Sequence, residues 1–238
     1  KSLEEGKISE IQINESVRRI LKLKYNLGLF SNPYLYLDLN REKEVIFSEE
    51  ILKHALYSAK RSVVLLRNDE FSGQKLLPLS NAVKRIAVIG PLADNQKDML
   101  GAWHARGDET RVVSILTGLK NKFPRAIIEF AKGADFEGDD KSGFTLAKNI
   151  ALNSDMVICV IGENREQSGE AASRSDIGLP GVQQDLMEEL VKTGKPIIAV
   201  VMAGRPLIMK WLSKNINAIL FAGHLGTRSG EAIADIIS

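Results

Sequence analysis

The apolar positions of the chain fall into two kinds of block. Between residues 10 and 27, Ile13, Val17, Ile20 and Leu21 recur at helical spacing, behind a Ser9/Gln12 pair with the spacing of a capping box. Gly28 and then Pro33 follow, so an amphipathic helix is expected over 10–27. Residues 32–47 mix Tyr, Asn, Pro and charge with little periodicity and read as a surface linker. Ser48, with Glu49 and Glu50 behind it, opens a second helix towards Lys60. Beyond it the pattern changes to short apolar runs at 63–66, 86–89, 126–130, 156–161, 197–202 and 218–221, which read as strands. Between them, 112–122, 143–152, 182–192, 208–212 and 229–237 read as helices. Near-continuous apolar strands alternating with helices imply parallel strands covered on both faces and joined by right-handed crossovers. The expected fold is therefore a three-layer α/β/α sandwich on a mostly parallel sheet of about six strands. Residues 48–238 form that domain, and residues 1–47 form a separate helix and linker.

Composition narrows the partners. The chain has 238 residues and a formal net charge of +2, too small to point to nucleic acid or an anionic membrane. No apolar run is long enough to span a bilayer. The single cysteine, Cys159, lies inside an apolar strand and reads as a small buried hydrophobe, so no internal disulfide is possible. The three histidines, His54, His104 and His224, are too scattered for a metal site, and no cofactor is expected. The chain opens at Lys1 without Met and stops at Ser238 directly after an apolar helix. Both ends are therefore expected to be cuts in a longer protein. A homo-oligomer is compatible with this composition.

In an open parallel sheet, ligands gather outside the carboxyl ends of the strands. Three segments with unusual sequence sit there. Gly90-Pro91-Leu92-Ala93-Asp94 follows a strand, but the spaced glycines of a dinucleotide fingerprint are missing and Pro91 removes an amide, which disfavours nucleotide binding. Beyond it, Trp103 and His104 share a loop; Trp103 could stack on a sugar or simply fill a surface cleft. After the most apolar strand comes the long polar stretch 162–176, with Glu163, Glu166, Glu170 and Asp176 among Arg165 and Arg174. A carboxylic acid working with a second carboxylate is the equipment of glycoside hydrolysis. A solvated acidic loop is the other reading, and composition alone favours it. Finally, Arg205, in Ala203-Gly204-Arg205-Pro206, either pairs with a carboxylate or caps a helix.

Several motifs together resemble a known family. Arg19-Ile20-Leu21-Lys22-Leu23-Lys24-Tyr25-Asn26-Leu27-Gly28, Ser62-Val63-Val64-Leu65-Leu66-Arg67-Asn68, Ile89-Gly90-Pro91-Leu92-Ala93-Asp94, Gly101-Ala102-Trp103 and Gly204-Arg205-Pro206-Leu207 occur in that order. Most specific is Gly169-Glu170-Ala171-Ala172-Ser173-Arg174-Ser175-Asp176, with Leu179-Pro180 and Gln183 after it. From end to end the chain resembles the C-terminal half of glycoside hydrolase family 3 enzymes, of the periplasmic β-glucosidase type.

The resemblance implies an α/β sandwich domain preceded by the last helix of a TIM-type barrel, and a retaining exo-β-glycosidase acting on terminal β-glucosyl residues. It implies Glu170 as the acid/base, with Glu166 as runner-up in the same loop. Trp103 and Arg174 would be substrate-binding neighbours. The nucleophile would be a barrel aspartate that no residue of this chain matches. A β-glucoside or oligosaccharide substrate, a missing N-terminal barrel as partner, and a periplasmic or secreted location follow from the same source. A fragment of this kind would be inactive alone. The sequence departs from the family at Gly223, where a tryptophan is usual, and at the more charged Arg228-Ser229-Gly230-Glu231. The rival reading is a non-catalytic carbohydrate-binding or interaction module.

Overall fold

A computed structural model describes residues 1–80 and 82–238. The chain divides into two compact units, Lys1–Ile51 and Leu52–Ser238. In the first unit, α1 (Glu10–Asn26) starts at Ser9, whose backbone and side chain exchange hydrogen bonds with Gln12 as the capping box requires. Residues 32–47 are not an unbroken linker. They hold a second helix, α2 (Leu39–Val45), because the Asp38 carboxylate accepts the amides of Asn40 and Arg41 and starts a turn that apolar periodicity does not announce. Neither helix has a buried residue. The next helix, α3 (Glu49–Ser62), runs on into the second unit.

The second unit is built on a six-stranded sheet. Its strands in chain order are β1 (Val64–Asn68), β4 (Arg85–Ile89), β5 (Ile127–Ala131), β6 (Met156–Gly162), β7 (Ile197–Met202) and β8 (Ala218–Phe221). They lie in the order β1-β8-β7-β6-β4-β5. A small hairpin of β2 (Glu70–Phe71) and β3 (Gln74–Lys75) stands apart from this sheet. The helices are α4 (Ile115–Lys122), α5 (Phe144–Leu152), α6 (Gln183–Val191), α7 (Leu212–Asn215) and α8 (Ser229–Ile237).

Period-two alternation sorts each central strand between two cores. Ile86, Val88, Ile158, Val160, Ile198 and Val200 pack with residues of α3, α4 and α8 on one face. Ala87, Ile89, Val157, Cys159, Ile161, Ala199 and Val201 pack with α5, α6 and α7 on the other. Cys159 is buried as expected, and burial pushes its thiol pKa up, away from reactivity. The three-layer, mostly parallel sandwich is thus present.

Three details differ from the sequence expectation. β1 runs antiparallel to β8, with an irregularity between Leu65 and Arg67. An apolar run reads the same in either direction, so strand sense was not legible. Coverage on both faces also stops short of the rim, since Val64, Leu65 and Leu66 on β1 and Ile127 and Phe130 on β5 remain exposed. The short helix expected at 208–212 begins instead at Leu212, and the Ile208 amide before it donates to Ile177 O at 2.9 Å.

Candidate functional site

The parallel strands β4, β6, β7 and β8 deliver their following loops to one sheet edge. β6 leaves that edge at Gly162, whose φ is +136°. A Cβ there would stand 1.8 Å from Met202 O, so only glycine fits beside β7. The Gln183 side chain holds the strand end from α6: Gly162 N donates to its Oε1 at 2.8 Å, and its Nε2 donates to Gly162 O at 2.9 Å.

The loop beyond is fastened at several points. Asn164 Oδ1 accepts the amides of Glu166 and Gln167, forming a short helical turn at Arg165–Gln167. The Arg165 amide donates to Asp98 Oδ1 at 3.0 Å, and Gln167 Nε2 donates to Phe136 O at 3.2 Å. Gly204, after β7, comes so close that a Cβ on it would stand 2.2 Å from Ser168 Oγ.

These contacts shape a cleft of about 190 Å³ whose walls include Trp103, His104, Arg165, Glu166, Ser168 and Glu170. Trp103 is 75% exposed and lines the cleft next to Gly169. Glu166 is engaged by Arg165 at 3.2 Å and Lys97 at 4.0 Å. Glu170 is exposed and makes no ion pair or hydrogen bond among the described residues. Behind the cleft lies a buried ionic cluster. Glu163 is 0% exposed, and its Oε1 accepts from Arg174 Nη1 at 2.6 Å and faces Arg205 Nε at 3.2 Å. Both nitrogens of the His224 ring are buried without a hydrogen-bond partner. Burial holds its pKa below the ordinary value, against the opposing pull of the nearby Asp98 backbone and then of the Asp98 and Glu163 charges. Among the described residues no group of His, Cys, Asp and Glu is placed to hold a metal ion.

Residues 63–238 match the glycosyl hydrolase family 3 C-terminal domain. The chain belongs to that family. It is 38% identical over 231 residues to a β-xylosidase of Formosa agariphila, covering 94% of this chain and 31% of that protein. It is 34% identical to the periplasmic β-glucosidase of Salmonella typhimurium, covering 99% of this chain and 33% of that one. Among solved structures, a β-glucosidase from Listeria innocua in complex with isofagomine superposes with a TM-score of 0.89 at 35% identity, over 100% of this chain and 32% of that chain. The chain thus spans about a third of the length of the relatives it matches.

Within this family 3 domain, Trp103, Glu166 and Glu170 meet at one cleft, although Trp103 comes from a different loop. Arg174 does not line the cleft; its guanidinium turns inward to Glu163 and to Gly178 O. Sequence reasoning passed over Glu163 as one acid among several. The available signal was its place directly after the β6 glycine, where a side chain still points into the sheet edge. Arg205, which the sequence left between a carboxylate and a helix cap, takes the carboxylate.

Proposed function

We propose that this chain is the acid/base-carrying domain of a retaining exo-β-glycosidase, and that Glu170 is the proton donor. The observation that carries this reading is the unengaged Glu170 carboxyl beside the bare Trp103 ring, in a family 3 domain. Glu166, held between two cations, is the weaker candidate.

In this reading Glu170 protonates the glycosidic oxygen as a carboxylate outside the chain attacks the anomeric carbon. It then takes a proton from the water that releases the sugar. That partner carboxylate belongs on a barrel domain, with α1 as the barrel's last helix and a domain boundary near residues 47–48. The two carboxyls would stand about 5–5.5 Å apart, as retention requires. Trp103 forms a wall of the sugar site. The Salmonella relative, named periplasmic, supports an exported location.

The substrate reading is a terminal β-glucoside, supported by the Salmonella and Listeria relatives. A β-xyloside is the second reading, because the Formosa β-xylosidase is 38% identical. Comparing kcat/KM for the aryl β-glucoside and β-xyloside decides between them.

The decisive test of Glu170 is Glu170→Gln in the full-length protein. Turnover of substrates with poor leaving groups should fall on the order of 10²–10⁴-fold, while substrates with activated leaving groups lose much less at the glycosylation step. Equal loss on both, or no loss, removes Glu170 from the role. The isolated chain should not turn over a chromogenic glucoside.

A further inference from the structure

Asp98 and Glu163 are the buried carboxylates among the described residues, and Glu163 is the more deeply buried of the two. Its charge faces two guanidinium groups. Such a cluster returns little net stability compared with an apolar core of the same volume, because all three ions lose their hydration. What it does supply is a fixed geometry. Arg205 Nη2 donates to Gln167 O and, at 2.8 Å, to Ala172 O. These carbonyls flank Glu170 on either side. Arg174 Nη2 donates to Gly178 O at 3.3 Å, tying down the far end of the same loop. The loop meanwhile carries a left-handed non-glycine residue, Ala171 at φ +61°, immediately after Glu170. A conformation of that kind persists only where its surroundings impose it.

We infer that Glu163 is a positioning residue for Glu170: by orienting Arg205 and Arg174, it clamps the loop carbonyls around Glu170 and holds that carboxyl in the cleft beside Trp103. This inference rests on the reading of Glu170 as the acid/base. The clamp acts through geometry, and Glu163 itself does not touch the substrate.

The test uses the full-length protein with Glu163→Gln and Arg205→Lys. The first removes the charge that orients both arginines. The second keeps a cation opposite Glu163 but removes the planar fork that spans two carbonyls, and it serves if Glu163→Gln does not fold. For the folded variants, kcat/KM on substrates with poor leaving groups should fall on the order of 10²-fold, the cost of a misplaced catalytic group. Activated aryl glycosides should lose far less.

Azide should then raise turnover of the activated substrate and yield the β-glycosyl azide. Its nitrogen bonds to the anomeric carbon as the carbon–oxygen bond to the nucleophile's carboxylate breaks, and no general base is needed. A merely structural role would lower both substrate classes together through the folded fraction, and azide would do nothing. If Glu170→Gln shows the leaving-group dependence and neither clamp variant does, the clamp is overturned and Glu170 stands. If Glu170→Gln shows none, both fall.

Discussion

Glu163 and Glu170 leave the same strand end and differ in every physical respect. The first is fully buried, faces two arginines and sits directly behind a glycine that no other residue can replace. The second is exposed, makes no ion pair or hydrogen bond among the described residues and is followed by a residue in left-handed conformation. The strand end is over-determined by packing and hydrogen bonds. The loop tip is held through its backbone, which leaves its side chain free to act. Stability and chemistry are thereby separated along a few residues. The separation is testable, because mutations at Gly162 and at Gln183, which holds it, should register in folding and those at the tip in turnover.

The largest effect is expected from Gly162→Ala. The new Cβ would meet the Met202 carbonyl, a backbone atom that cannot yield without disturbing β7. A loss above about 4 kcal/mol in denaturant unfolding is expected; a value under about 1 kcal/mol would show that the strand end is less rigid than its geometry implies.

Next comes Gln183→Leu, which keeps the buried volume but leaves Gly162 N and O unpaired. A loss of about 1–3 kcal/mol is expected for a buried group left unsatisfied.

A smaller effect should appear in the pH dependence. The pKa of His224 is lowered by burial from its ordinary 6.5, so the unfolded chain takes up the proton more readily than the folded one. Its contribution is therefore complete above pH 6.5 and is lost as the pH falls from there through the lower folded-state value. Replacement by Gln should flatten stability across that window in pH-dependent unfolding, and an unchanged slope would remove His224 as its source.

The smallest effect on stability belongs to Glu170→Gln, within about 0.5 kcal/mol of the parent, as for surface changes in general. A clearly larger loss would mean that the tip is also structural, and the contrast between the two regions would dissolve.

Much of the fold could be read from the chain. The runs at 197–202 and 218–221 match β7 and β8 end to end, and the helix at 229–237 matches α8. These segments are strongly patterned, and their apolar residues are packed in the core, so local and tertiary preferences agree. Where the signal was a side-chain hydrogen bond instead of an apolar period, it was missed, as with Asp38 at the start of α2. Amphipathicity also proved silent about partners. Ile13, Val17, Ile20 and Leu21 have the same kind of pattern as the apolar residues of α8, yet they lie exposed on α1 while Ala232, Ile233 and Ile237 are buried. A period of 3.6 makes a helix with an apolar face, and says nothing of what covers it.

By itself the sequence determined the alternation of strands and helices, the two-faced central strands and the acidic loop after β6, because apolar periodicity and turn residues act over short distances. The order of the strands, the antiparallel sense of β1 and the meeting of Trp103 with Glu170 were decided only by the tertiary structure. So was the difference between Glu163 and Glu170. Arg174, from the same loop, and Arg205, brought in from the end of β7, both turn to the buried Glu163, while the Glu170 carboxyl stays exposed at the cleft.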